Sequence, residues 1–142
     1  MSAIVVGYDG TAGAHAAVRE AARLAPALRA PVIVAFAYHV SPLGGEVTDL
    51  AATLHERGEA VLAEALRTLR EAQVEARGEL VEERPAEALV ALADAEDARM
   101  IVVGCYGETP LRGVLLGSTP YRLLHLSERP VLVVRGAARG AT

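Results

Sequence analysis

The sequence predicts a single α/β domain built on a mostly parallel sheet, and three observations carry that reading. Five short apolar runs rich in β-branched residues alternate with longer stretches whose apolar positions recur at helical spacing. Glycine, proline and aspartate punctuate the joints between them. Two of the runs share an exit: Ile4-Val-Val-Gly7-Tyr-Asp-Gly10 and Ile101-Val-Val-Gly104-Cys-Tyr-Gly107 both read IVVG, two residues, then glycine. In a parallel sheet those exits open on the same carboxyl edge, where ligands of open α/β sheets bind. A chain of 142 residues is one domain, spanning 1–142, and buries about two-thirds of the surface its unfolded form exposes.

The elements follow in order. Ala3 to Tyr8 (AIVVGY) is too short for a helix and reads as a central strand, ended by Asp9, Gly10 and Thr11. From Ala14 the positions Ala14, Ala17, Val18, Ala21, Ala25 and Leu28 form one helical face, and Pro26 is expected to kink or stop that helix. Pro31 to Tyr38 (PVIVAFAY) is a second strand with proline at its tolerant first position. Ser41 to Gly45 is a loop. Leu50, Leu54, Val61, Leu62, Ala65, Leu66 and Leu69 make the apolar face of a long helix, which Gly58 weakens without ending.

Gln73 to Glu82 alternates in polarity and is assigned to a sheet edge. Pro85 opens a helix carrying Leu89, Val90, Leu92 and Ala93. Met100 to Gly104 is the next strand, and Thr119 with Pro120 reads as the N-cap and first position of a helix reaching about Leu126. Pro130 to Arg135 is the last strand, followed by a frayed tail.

The chemistry concentrates between Ile101 and Val134. There a strand stops at glycine, and a loop of the form G-x2-G-x9-G-S (Gly104, Gly107, Gly117, Ser118) leads into a helix start. Unpaired helix N–H groups carry partial positive charge, and glycine admits a phosphate close to the main chain. The alternative is that the glycines only turn the chain and Ser118 only caps. Asp9, just past a central strand, either accepts from ligand N–H and hydroxyl groups or satisfies amides at a helix start.

This segment resembles the C-terminal signature of the universal stress protein family, in its ATP-binding branch, and the likeness extends over nearly the whole chain. The resemblance implies a Rossmann-like five-stranded parallel sheet in the order 3-2-1-4-5 with helices on both faces, which sets the first and fourth strands side by side. It implies ATP, with Mg2+ or Mn2+, held at the switch-point crevice. Asp9 would lie at the adenosine end; Ala37 would offer backbone atoms to adenine, with Gly7 and Val103 on the same wall. Gly104, Tyr106, Gly107, Gly117, Ser118 and Thr119 would hold ribose and phosphates. It further implies a stress-responsive cytoplasmic homodimer paired through Val131 to Val134.

Two departures bear on affinity. Cys105 and Tyr106 stand where relatives carry a small polar and then a basic residue, so a cation worth about 0.5–1 kcal/mol is lost, although Arg112 lies in the same loop. Glu108 is unfavourable beside a polyphosphate unless a divalent cation bridges them.

Composition removes other classes. There is no lysine, which excludes a P-loop, a Schiff base and a phospho-receiver site. The net charge is −4 with scattered arginines, which argues against nucleic acid. No apolar stretch reaches membrane-spanning length and no leader precedes Ser2, so no membrane is expected. One cysteine fits a reducing, cytoplasmic setting. A dinucleotide fingerprint requires G-x-G-x-x-G, whereas the first loop has Gly7-x-x-Gly10-x-x-Gly13. The four histidines show no metal-ligand spacing with Cys105. Cys105 is either a redox-sensitive thiol or, more simply, a small strand-end filler. Glu82-Glu83 and Asp94 to Asp97 read as solvated charge.

The expectation is therefore an ATP-binding regulatory protein with little or no turnover and no catalytic or metal residues. Its alternatives are a nucleotide-independent dimeric interaction protein and a slow Mg-dependent ATPase.

Overall fold

The structure is a computed structural model and describes residues 2–40, 47–105 and 116–136. Its elements are β1 (Ile4–Gly7), α1 (Ala12–Leu28), β2 (Val32–Tyr38), α2 (Val47–Glu71), β3 (Ala76–Glu82), α3 (Pro85–Ala95), β4 (Met100–Gly104), α4 (Ser118–Leu126) and β5 (Val131–Val134). The sheet runs β3-β2-β1-β4-β5, with every neighbouring pair parallel. The predicted loop over 41–45 and the tail beyond residue 136 lie outside the described residues.

Successive strand side chains point to opposite faces, so each central strand feeds two cores. Ile4, Val6, Val34 and Val102 pack under α1 and α2, against Ala17, Val18 and Ala21 and against Leu62, Ala65 and Leu69. Val5, Ile33, Ile101 and Val103 face the other way, under Leu89 and Ala93 of α3 and Leu123 of α4. Burial on both faces is why these strands read as continuous apolar runs. The two edge strands are only partly buried, which matches the alternating polarity of β3.

Three local expectations need correction. First, α1 runs to Leu28, two residues past Pro26. Pro26 falls in the last turn, and Arg29, left-handed at φ 54°, ends the helix while the Ala30 amide bonds the Ala25 carbonyl at 3.1 Å. Second, the N-cap of α4 is Gly117, so Thr119 and Pro120 are its second and third positions. Proline is tolerated there because the first four helical amides have no intrahelical partner in any case. Third, Leu50 is 51% exposed. At 25 residues α2 is about 37 Å long, whereas the seven-residue β2 and β3 span about 23 Å, so its first turns overhang the sheet.

At Gly58 α2 lies close against side chains of the sheet. A Cβ there would stand 2.4 Å from Leu80 Cδ2 and 2.7 Å from Phe36 Cδ1. Helix propensity alone would make Gly58→Ala stabilising by about 1 kcal/mol. The contact reverses the sign: urea unfolding is expected to show a loss of about 1–3 kcal/mol from overpacking.

Candidate functional site

The carboxyl ends of β1, β2 and β4 open into a crevice lined by both apolar and polar groups. It lies where the chain leaves β1 for α1 and β4 for α4, helices that pack on opposite faces of the sheet. Gly7, Asp9, Ala37, Val103, Gly104, Ser118 and Thr119 all line it. Tyr106 and Gly107 lie outside the described residues, as do Glu108 and Arg112. Gly117 sits beside the crevice with its amide engaged, donating to the Cys105 carbonyl at 2.7 Å.

Each wall has a local cause. On the β1 side, Gly10 takes a left-handed φ of 85°, a conformation open to glycine at little strain. That turn brings Asp9 over Thr11: Asp9 Oδ1 accepts from the Thr11 amide at 3.1 Å and from its hydroxyl at 2.6 Å. Thr11 Oγ1 in turn accepts from the Ala14 amide at 3.2 Å, capping α1. Asp9 thus serves a helix start through Oδ1 while its exposed carboxylate also lines the crevice. On the β4 side, the first turn of α4 offers the Ser118 and Thr119 hydroxyls and main-chain N–H groups. Between them lies an apolar slot of Ala35, Ala37, Leu89 and Val103.

The floor depends on a close backbone crossing. A Cβ on Gly104 would fall 2.5 Å from the Gly13 carbonyl carbon and 2.6 Å from its oxygen, so the β4 exit passes directly beneath the first turn of α1. Cys105 is 4% exposed and continues the strand edge, its amide donating to the Val134 carbonyl at 2.9 Å. That burial fits a small filler residue.

Sequence reasoning missed Tyr8, Thr11, Pro85 and Leu89 as crevice residues, and with them Ala14, Ala35 and Pro120. Pro85 and Leu89 are an i, i+4 pair opening the helix after an edge strand, a signal that was available once strand order was known. Tyr8 is 2% exposed, and its hydroxyl donates to Glu64 Oε1 of α2 at 2.7 Å and lies 3.1 Å from the His15 ring nitrogens. Burial first, and then the Glu64 carboxylate, push this phenol above its ordinary value, so it stays a neutral donor at physiological pH.

The sign of the resulting pH dependence follows from proton binding. Above about pH 10 the unfolded chain releases the tyrosine proton and the folded chain keeps it. Stability contributed by Tyr8 is therefore complete below that pH and declines as pH rises further. Denaturation midpoints measured from pH 8 to 11 are expected to fall less steeply for Tyr8→Phe than for the parent.

Ion pairs brace the surroundings. Arg122 of α4 donates to Glu87 in the first turn of α3, holding that carboxyl below the usual range and tying together two helices that wall the crevice. At the opposite edge Arg129 donates to Asp94 and Asp97, each at 3.1 Å, and to the Ala98 carbonyl at 2.7 Å. Asp94 and Asp97 are thus exposed but hold an arginine, which sequence alone did not indicate. Among the described residues no group of three His, Cys, Asp or Glu could hold a metal ion. Among the described residues Asp9 is the only carboxylate lining the crevice, so as far as these residues go a divalent cation there would be held by the ligand's phosphates more than by the protein. No helix among the described residues is long and apolar enough to cross a membrane.

A parallel sheet wound in both directions, with a crevice at its switch point set between a carboxylate and a helix N-terminus, defines an open α/β protein of the kind that takes a small ligand at its carboxyl edge. The particular family follows from comparison. The sequence model described as the universal stress protein family matches residues 1–135, and the chain belongs to that family. It is 36% identical over 138 residues to a universal stress protein of Mycobacterium tuberculosis, covering 92% of this chain and 94% of the relative. A universal stress protein solved in complex with cAMP superposes with a TM-score of 0.75 at 32% identity, covering 96% of this chain and 98% of the other. The universal stress protein of Archaeoglobus fulgidus, solved in complex with dAMP, gives a TM-score of 0.73 at 26% identity and covers 94% and 98%.

Proposed function

We propose that the crevice binds an adenine nucleotide and that its occupancy regulates what the protein presents to partners in a cytoplasmic stress response. The carrying observation is one continuous cleft with an apolar slot at its centre, a carboxylate on one side and the hydroxyl-bearing start of α4 on the other. In this reading the base enters beside Ala37, Val103 and Gly7, Asp9 accepts from the ribose, and Ser118 and Thr119 take phosphate oxygens. Relatives solved with cAMP and dAMP share adenine and a phosphate, which supports the same ligand class here. ATP with Mg2+ is the form the resemblance implies. The role in this reading is binding: among the described residues that line the cleft, no nucleophile is paired with a base.

The test is to denature the purified protein, identify any released nucleotide, and titrate the emptied chain with adenine nucleotides. Measurable affinity that falls at least tenfold in Ser118→Ala supports the site. An undetectable heat with every adenine nucleotide would leave a nucleotide-independent scaffold in its place.

The same reading includes a homodimer. Among the described residues β5 has a neighbour on one side only, and Tyr121, Leu124 and Leu126 of the preceding helix are exposed. Such an apolar edge calls for cover. Pro130 and Val134 carbonyls accept from β4, so by alternation the Val131 and Val133 amides point to the free edge. Val133→Pro is expected to convert the dimer to monomer in light scattering while leaving the circular dichroism spectrum unchanged.

A further inference from the structure

We propose that the first turns of α2 are the surface that responds to crevice occupancy, and that the hydrogen bond from Tyr8 to Glu64 is the link between them. The inference rests on the adenine-nucleotide reading and names the element that occupancy changes. Tyr8 belongs to both places. It lines the crevice between Gly7 and Asp9, yet it is 2% exposed in the core under α1 and α2, and its hydroxyl donates to Glu64 Oε1 at 2.7 Å. A hydroxyl bonded to a carboxylate is a strong, directional contact, and breaking it strands a buried donor. The same stretch touches α2 one turn earlier, where a Cβ on Gly10 would stand 3.6 Å from Val61. His15 of α1 joins the knot, with Nε2 3.4 Å from Glu64 Oε1. If α2 withdraws at this point, the residues on either side of Tyr8 lose what holds them, and the β1 wall of the crevice goes with them.

The second wall repeats the arrangement. Ala37 lines the crevice and the next residue, Tyr38, ends β2 with its hydroxyl 3.4 Å from His55 Nδ1 of α2. Each of these strands therefore gives one residue to the cleft and the following tyrosine to the helix, because side chains alternate between faces. Ahead of these links α2 is lightly held. Among its described positions the first buried one is Gly58, and Ala52, His55, Glu56 and Arg57 are exposed along with Leu50. A helix end with so little buried surface opens locally at low free energy. A ligand that binds only the formed walls favours the seated helix, and by reciprocity an unseated helix weakens the ligand.

The experiment is hydrogen exchange on the full-length, nucleotide-free chain and on the same chain saturated with whichever of AMP, cAMP and ATP binds most tightly in calorimetric titration. Amides of residues 50–60 are expected to exchange about threefold more slowly in the saturated chain, and those of residues 20–28, at the far end of α1 on the same face, to change less. Glu64→Ala, at a half-exposed helical position, is expected to abolish that difference and to weaken the nucleotide about twofold. Glu64→Gln keeps an acceptor for the Tyr8 hydroxyl and is expected to restore both. Equal slowing in the two segments, or slowing that survives Glu64→Ala, overturns the link and leaves the crevice reading standing. Binding of none of the three nucleotides removes the crevice reading itself and this inference with it.

Discussion

Gly104→Ala is expected to lower both the melting temperature and nucleotide affinity, because the added methyl meets backbone instead of a movable side chain. The Gly13 carbonyl carbon, oxygen and Cα all lie between 2.5 and 3.0 Å from the position a Cβ would take. Relief requires α1 to lift away from β4, and α1 begins with the Thr11 cap and carries Ala14, both in the crevice lining. Overpacking of this kind costs about 3 kcal/mol, or roughly 10 °C for a chain of this size. The same shift moves Asp9 away from Ser118, so affinity for adenine nucleotide is expected to fall at least tenfold. Calorimetric melting and titration on one preparation measure both. A variant that melts like the parent would show that the crossing is looser than described.

Leu123→Ala is the second large effect, and its comparison with Leu69→Ala separates stability from function. Both side chains are fully buried, each at 0% exposure. Each truncation is expected to cost about 2–5 kcal/mol in urea unfolding, from lost burial and a residual cavity. Leu123 is the anchor of α4 in the core beneath α3 and α4, five residues after Ser118. Leu69 lies near the end of α2 in the other core, away from the crevice lining. Nucleotide affinity, measured well below the melting range, is therefore expected to drop several-fold in Leu123→Ala and to stay near the parental value in Leu69→Ala. Equal affinities in the two variants would mean that seating of α4 does not set the phosphate end.

The two exits sharing IVVG illustrate how much of the site could be read in advance. Gly7 and Gly104 end neighbouring parallel strands and both line the crevice, as their matching sequence context predicts. Pro85 and Leu89 line it too, yet they lie about eighty residues from the first exit, and nothing local marks them. The start of α4 was misplaced by two residues for a related reason. Thr119-Pro120 is a strong capping pattern, but the committed Gly117 amide and the extended Gly117 backbone set the boundary.

Alone, the sequence determined which segments become strands and helices, that both sheet faces are covered, and that a glycine-bearing strand exit precedes a helix start. Those are consequences of periodicity, β-branching and the few residues that tolerate a sharp turn, and each acts over a handful of neighbours. Only the tertiary structure decided that Gly13 must pass within 2.5 Å of where a Gly104 Cβ would sit, that the Tyr8 hydroxyl donates a hydrogen bond to Glu64, and that Asp9 is divided between its helix and the crevice. Such facts join residues far apart in the chain through steric and polar contacts that exist only once the two cores have closed around the sheet.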